Sequence, residues 1–195
     1  MEKAEKMSHV LYAALEIGAA SGLRSVNISR VSKKSGVSRA WIYKYIGGTS
    51  KKLSEAASDE FGKALVALGS AEHADAQALQ KHLAEMSWKM VEFFQKKPAL
   101  LDLYFQHLGT KSQLGKIIEE FELQHENRLA PVIQKFFKIP RKEAAAIVDL
   151  LIALRFGVCH RAVKGGMGKR VAQVELKRAA ERIFKNATLS KVLAE

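Results

Sequence analysis

The chain of 195 residues is short of the residues that cross-link or interrupt a fold. Its one cysteine, Cys159, excludes an internal disulfide and fits a reducing compartment, the cytoplasm. Three prolines, Pro98, Pro131 and Pro140, leave runs of Ala, Leu, Lys and Glu that favour helix almost throughout. No stretch alternates apolar and polar residues long enough to demand a sheet. No apolar run approaches the roughly 20 residues that a bilayer-spanning helix needs. Lys3 and Lys6 precede the apolar stretch Val10 to Leu15 in the manner of an export signal, but Glu16 interrupts it, and the pattern reads as an amphipathic first helix.

Chemistry-bearing clusters are equally scarce. The six histidines show no H-x-x-x-H spacing and no Cys/His group, so neither a metal nor a cofactor is expected. There is no phosphate loop and no Ser/His/Asp set, and Cys159 and His160, as neighbours on a helix, cannot face one another. A helical enzyme is therefore the weaker alternative. Acidic residues are outnumbered, 20 against 32 Lys and Arg, and the excess is uneven. Residues 1 to 52 hold 10 Lys and Arg against 3 Asp and Glu, whereas residues 53 to 195 hold 22 against 17. Such asymmetry is the electrostatic footprint of a protein that meets phosphates, although a soluble basic protein has it too. A hydrophobic content of 48% is enough to fill a core.

The basic region contains the most informative stretch, Asn27 to Ile46, NISRVSKKSGVSRAWIYKYI. Its periodicity predicts a short helix, a glycine break and a second short helix, with Ile28, Val31, Val37, Ile42 and Ile46 converging on one small core. Asn27 and Ser38 stand where N-caps are wanted, and Gly36 where a left-handed turn is wanted. This is a helix-turn-helix. The second helix turns Ser38, Arg39, Ala40, Trp41, Tyr43 and Lys44 away from Ile42, a mixture of small, hydrogen-bonding, aromatic and cationic groups suited to a major groove.

From about Leu11 to Leu53 the chain resembles the DNA-binding domain of the TetR family of bacterial transcriptional regulators. The resemblance rests on a first helix bearing Leu11, Ala14, Leu15 and Ile17, then Gly22-Leu23, the helix-turn-helix, and Tyr43-x-Tyr45-Ile46 followed by a lysine and a leucine. It departs from the family at Ser32 and Ser35, where alanine is usual, and at Ile46, where phenylalanine is usual. The family's lysine position holds Ser50, after an unusual Gly47-Gly48-Thr49, so Lys51 becomes the candidate for its phosphate contact. The resemblance implies phosphate contacts at Tyr43 and Lys44. Arg39 reads guanine or lies along a phosphate, and Trp41 either packs on a thymine methyl or sugar or folds back on Tyr45 and the first helix. Arg24 and Asn27, at the entry to the second helix, are further candidates for phosphate, Asn27 in addition to its cap.

Beyond the reading head, Thr49 or Ser50 caps a fourth helix to about Leu68, striped by Leu53, Ala57, Phe61, Ala64, Leu65 and Leu68. Gly69 to Asp75 reads as a loop, with Asp75 a cap. A helix over 76–97 carries Leu79, Leu83, Met86, Met90 and Phe93/Phe94 on one face and Ala84, Trp88 and Val91 on another. Pro98 opens a short helix ending near Gly109, and Ser112 caps a long one, 113–138, that Pro131 should kink. A hairpin of helices over 142–163 and 169–186 follows, and Ala187 to Glu195 reads as a short helix or a frayed end.

Trp88, Met90, Phe94, Leu101, Tyr104, Phe105, His107 and Phe121 are rich in aromatic and adaptable side chains. In the family this region surrounds a pocket for a small molecule, although such residues also fill solid cores. The final hairpin carries two apolar stripes, more than one core needs, and the resemblance implies a two-fold dimer built on it. Ile152, Arg155, Cys159, Ala179 and Ile183 are the candidate interface residues. The expectation is an all-α protein with a helix-turn-helix domain over 1–50 and an effector-binding and dimerisation domain over 51–195. By resemblance it is a homodimeric cytoplasmic repressor of a near-palindromic double-stranded DNA operator, released by a small apolar or amphipathic ligand and independent of membranes. A helix-turn-helix regulator without any effector is the alternative.

Overall fold

The computed structural model describes residues 2–66 and 76–192. Among them all regular structure is helical: α1 Lys3–Ser21, a 3-10 turn Leu23–Ser25, α2 Ile28–Ser35, α3 Arg39–Tyr45, α4 Ser50–Val66, α5 Ala76–Lys96, α6 Pro98–His107, α7 Gln113–Phe137, α8 Arg141–Lys164 and α9 Lys169–Val192. The loop over 69–75 with its Asp75 cap, Leu68, the side chains of Leu83, Ala84, Met86 and Phe184, and the last three residues lie outside the described residues.

The chain divides into two compact units. One comprises Met1–Ala67 with Ala99–Glu119, the other Leu68–Pro98 with Glu120–Glu195. The first takes in more than the 1–50 expected of a reading head, because α4 packs on α1 and the second half of α6 also lies against α1. Val10, Leu11, Ala14, Leu15 and Ile17 of α1 are buried with Val31, Ile42, Leu53, Phe61 and Leu65. A Cβ at Gly18 would lie 2.9 Å from the Leu23 side chain, so the small residue lets the 3-10 turn fold onto α1. Gln106 of α6 donates its side-chain N–H to the Ala19 carbonyl at 3.0 Å. Tyr12 hydrogen-bonds the backbone of Ala99, and burial, aided by Glu16, pushes its hydroxyl up to about 12.

The join between α6 and α7 is tightly specified. Gly109 is left-handed, with φ 70°. Ser112 Oγ caps α7 by accepting from the Gly115 N–H at 3.0 Å, and lies 2.9 Å from His107 Nδ1. A Cβ at Gly115 would collide with the Thr110 carbonyl oxygen, so no other residue fits there without moving backbone.

The second unit is formed by α5, the rest of α7, α8 and α9, with α5, α8 and α9 packing on one another. Leu79, Val91, Phe94, Ile133, Val148, Leu151, Phe156 and Leu176 are buried in it. Phe156 meets Phe94 at a ring-centroid distance of 5.7 Å and Phe121 at 6.2 Å. Helix α7 continues through Pro131. Arg161 of α8 holds Glu175 of α9 at 2.9 and 3.4 Å through its two Nη groups, a fork that ties the hairpin together.

Candidate nucleic-acid interface

The helix-turn-helix is set by its caps. Asn27 is extended, and its Oδ1 accepts from the Arg30 N–H at 2.9 Å, which starts α2. Gly36 ends that helix in the left-handed conformation, with φ 72°, where a side chain would be strained although nothing lies within 4 Å of a Cβ. Ser38 then starts α3, its Oγ accepting from the Trp41 N–H at 3.3 Å. Between them Val37 is buried beside Val31 and Ile42, so the turn is fixed from inside as well as at its ends.

With Ile42 facing inward, Ser38, Arg39, Ala40, Tyr43 and Lys44 are exposed on α3, and Arg24 and Lys51 are exposed outside it. Asn27 is half-buried, as its cap requires. Trp41 is half-buried and folds back on Tyr45, with centroids 4.7 Å apart. That ring contact is the one expected of Trp41 within the chain. Thr49, rather than Ser50, caps α4 through a 3.2 Å bond from the Lys52 N–H. Lys51 lies on the first turn of α4 with its ammonium 3.9 Å from Glu55, a highly exposed pair of little consequence for stability.

Several residues that periodicity did not single out shape this surface. The Lys3 ammonium lies 4.7 Å from the centre of the Tyr45 ring and that of Lys44 5.3 Å from it, so the start of α1 and the end of α3 share one aromatic platform. Arg30 clasps α2 to the turn before it through Ser25 O at 3.2 Å and Ser21 Oγ at 3.4 Å. Lys34 reaches Glu16 of α1 at 3.3 Å. Each depends on two segments meeting in space, and no local pattern announces that.

The candidate effector residues fall in both units. Leu101 and Tyr104 are buried in the first, where Phe105 is exposed and His107 bonds Ser112. Met90, Phe94 and Phe121 are buried in the second, with Trp88 half-buried.

The candidate dimer residues need correction. Ile152, Arg155 and Cys159 are in the protomer's own interior, at 5%, 7% and 0% exposure, so they cannot be the side chains on which a second copy is seated. Arg155 Nε–H instead donates to Ser87 Oγ of α5 at 2.9 Å. Burial pushes the Cys159 thiol up to about 12, which leaves it a neutral, inert group. The outward stripe of α8 is Ala146, Leu150, Ala153 and Gly157, and Ala179 and Ile183 of α9 are half-buried.

Among the described residues no group of three or more His, Cys, Asp or Glu is placed to hold a metal, and no helix is long and apolar enough to cross a membrane.

No protein-family model matches the sequence, and no curated protein does. Solved structures do match in fold. A TetR-family transcriptional regulator from Streptomyces coelicolor superposes with a TM-score of 0.69 at 15% identity, over 97% of this chain and 85% of that one. A TetR-like transcriptional regulator from a Rhodococcus species gives 0.66 at 16% identity, over 93% and 97% of the two chains. The fatty acid degradation regulator FadR from Bacillus halodurans gives 0.60 at 14% identity, over 96% and 97%. Across nearly its whole length, and with the helix-turn-helix described above at its head, this chain has the fold of the TetR-family transcriptional regulators.

Proposed function

We propose that the protein is a TetR-family transcriptional regulator that binds double-stranded DNA as a homodimer and releases it on binding a small apolar or amphipathic effector. The observation that carries the reading is the exposed face of α3, where Ser38, Arg39, Ala40, Tyr43 and Lys44 stand together on a helix fixed by the Gly36 turn and the Ser38 cap. In its N-terminal 52 residues 10 Lys and Arg face only 3 Asp and Glu, which favours a polyanion. Arg39 is the residue for base edges. Tyr43, Lys44 and Lys51, with Arg24, contact phosphate and fix register.

Dimerisation is supported by the outward face of α8. Leu150 is 57% exposed and Val174 of α9 40% exposed. Gly157 sits mid-helix, where glycine costs about 0.5 to 1 kcal/mol relative to alanine. A Cβ there would meet nothing within 4 Å in the protomer. Its smallness serves the close approach of something outside the chain, and a second α8 is the natural candidate. Two α3 helices related by the dimer axis would then enter successive major grooves of a near-palindromic site. An effector acts by binding more tightly to the dimer whose two heads no longer match that spacing.

A regulator with no effector is the second reading, favoured by the mutual packing of Phe94, Phe121 and Phe156. The test is a mobility shift on the DNA upstream of the protein's own gene, at several salt concentrations with random DNA as competitor. We expect specific, salt-weakened binding with two protomers per site, and a loss of about 1 to 3 kcal/mol in specific binding for Arg39→Ala. Equal losses on operator and random DNA would make Arg39 a phosphate contact, and no DNA binding at all would refute the reading.

A further inference from the structure

Positive charge gathers in a second stretch of the chain besides the reading head. Residues 160–192, the end of α8 and all of α9, hold nine Lys and Arg against two Asp and Glu, whereas residues 53–159 hold 13 against 14. Both of those acids are already engaged. Glu175 takes the fork of Arg161, and Glu181 lies 3.9 Å from the Lys177 ammonium. Between α8 and α9 runs an open groove of about 510 Å³, lined by Leu154, Gly157 and Ala179 and by Arg161, Arg178 and Arg182. Arg178 and Arg182 stand one turn apart on α9, where like charges destabilise a helix, and Arg161 joins them from α8.

The three arginines are exposed, so a monovalent anion making one screened ion pair gains little there. A ligand with several charges on one run of oxygens meets three guanidiniums at once, and a guanidinium fork matches phosphate in geometry as well as in sign. The outward stripe of α8 leads straight into this groove. Leu150, Gly157, Arg161 and Lys164, all exposed, are spaced seven, four and three residues apart and share one face. A second α8 seated on Leu150 and Gly157 therefore brings the cations of one copy up to those of the other. We propose that the groove is a site for a phosphate-chain anion, an inorganic polyphosphate or a nucleotide, and that the bound anion strengthens the homodimer by neutralising the facing hairpins. Arg161, Arg178 and Arg182 hold its oxygens. The strengthening rests on the α8 interface proposed above; the site itself does not.

The test uses the full chain with sodium tripolyphosphate as the probe, the ionic strength being held constant with sodium chloride. Binding is followed by calorimetry and assembly by sedimentation. Saturable binding is expected, with a dimer dissociation constant at least about tenfold lower than in chloride alone. R178Q combined with R182Q should weaken tripolyphosphate by about tenfold or more and leave the dimer indifferent to it. No saturable binding, or unchanged affinity in the folded double variant, would overturn the site. Should the double variant not fold, the two single variants are measured, and unchanged affinity in both has the same force. ATP is compared with tripolyphosphate. Tighter binding of ATP assigns the site to nucleotides, and equal or weaker binding assigns it to the inorganic chain. Binding that leaves the dimer constant unchanged would sink the coupling but not the site, whereas monomers in every condition, with binding intact, would refute the α8 interface.

Discussion

At the scale of single residues, His125 is the group most displaced from its ordinary chemistry. Burial, with the nearby Arg128 and Arg155 charges, pushes its imidazole down to about 4, against an opposing hydrogen bond to the Phe121 carbonyl. The unfolded chain, with an ordinary imidazole near 6.5, binds a proton that the folded chain refuses. Stability from this residue is thus fully present above about pH 6.5 and is lost as the pH falls from there towards 4. Urea unfolding at pH 7.5 and pH 5 should differ by about 2 kcal/mol on this account. His125→Gln should flatten that part of the profile; if it leaves the slope intact, the source is elsewhere. Arg155 illustrates a limit of sequence reading at the same scale. It sat on an apolar stripe, and nothing in the stripe could say that Ser87, 68 positions earlier, would accept its Nε–H.

At the scale of helices, ends are written locally and faces are not. Asn27→Ala removes the bond to the Arg30 N–H and should destabilise the first unit by about 1 kcal/mol, measurable by denaturant unfolding. Asn27→Ser should restore most of it, and a loss of DNA binding at full stability would assign the residue to phosphate instead. Such caps, the Gly36 turn, the Pro98 start and the Ser112 cap were legible because each needs only three or four consecutive residues. Helix α8 was not. Both of its apolar stripes proved to be buried, Ile147, Leu151, Val158 and Ala162 as well as Val148, Ile152, Arg155 and Cys159. The exposed face is a third one, Ala146, Leu150, Ala153 and Gly157, which period alone did not single out. The single turn at Leu23–Ser25 also escaped, being shorter than any period.

At the scale of the whole molecule, the outward stripe of α8 makes the assembly state testable without disturbing the fold. Leu150→Glu places a charge on a side chain already 57% exposed, so the protomer should keep its stability. A second copy would have to bury that charge twice. Sedimentation should therefore show dimers for the natural protein and monomers for the variant; dimers for both would move the interface elsewhere. The two compact units also carry one tryptophan each, Trp41 in the first and Trp88 in the second. Trp41 lies against Tyr45 on the face proposed for DNA, whereas Trp88 follows Ser87, the α5 residue that accepts from Arg155. The chain thus comes with its own pair of optical reporters. Replacing either by phenylalanine leaves a single emission that follows one half of the protein, so that operator binding, ligand binding and the melting of each half can be watched separately by fluorescence.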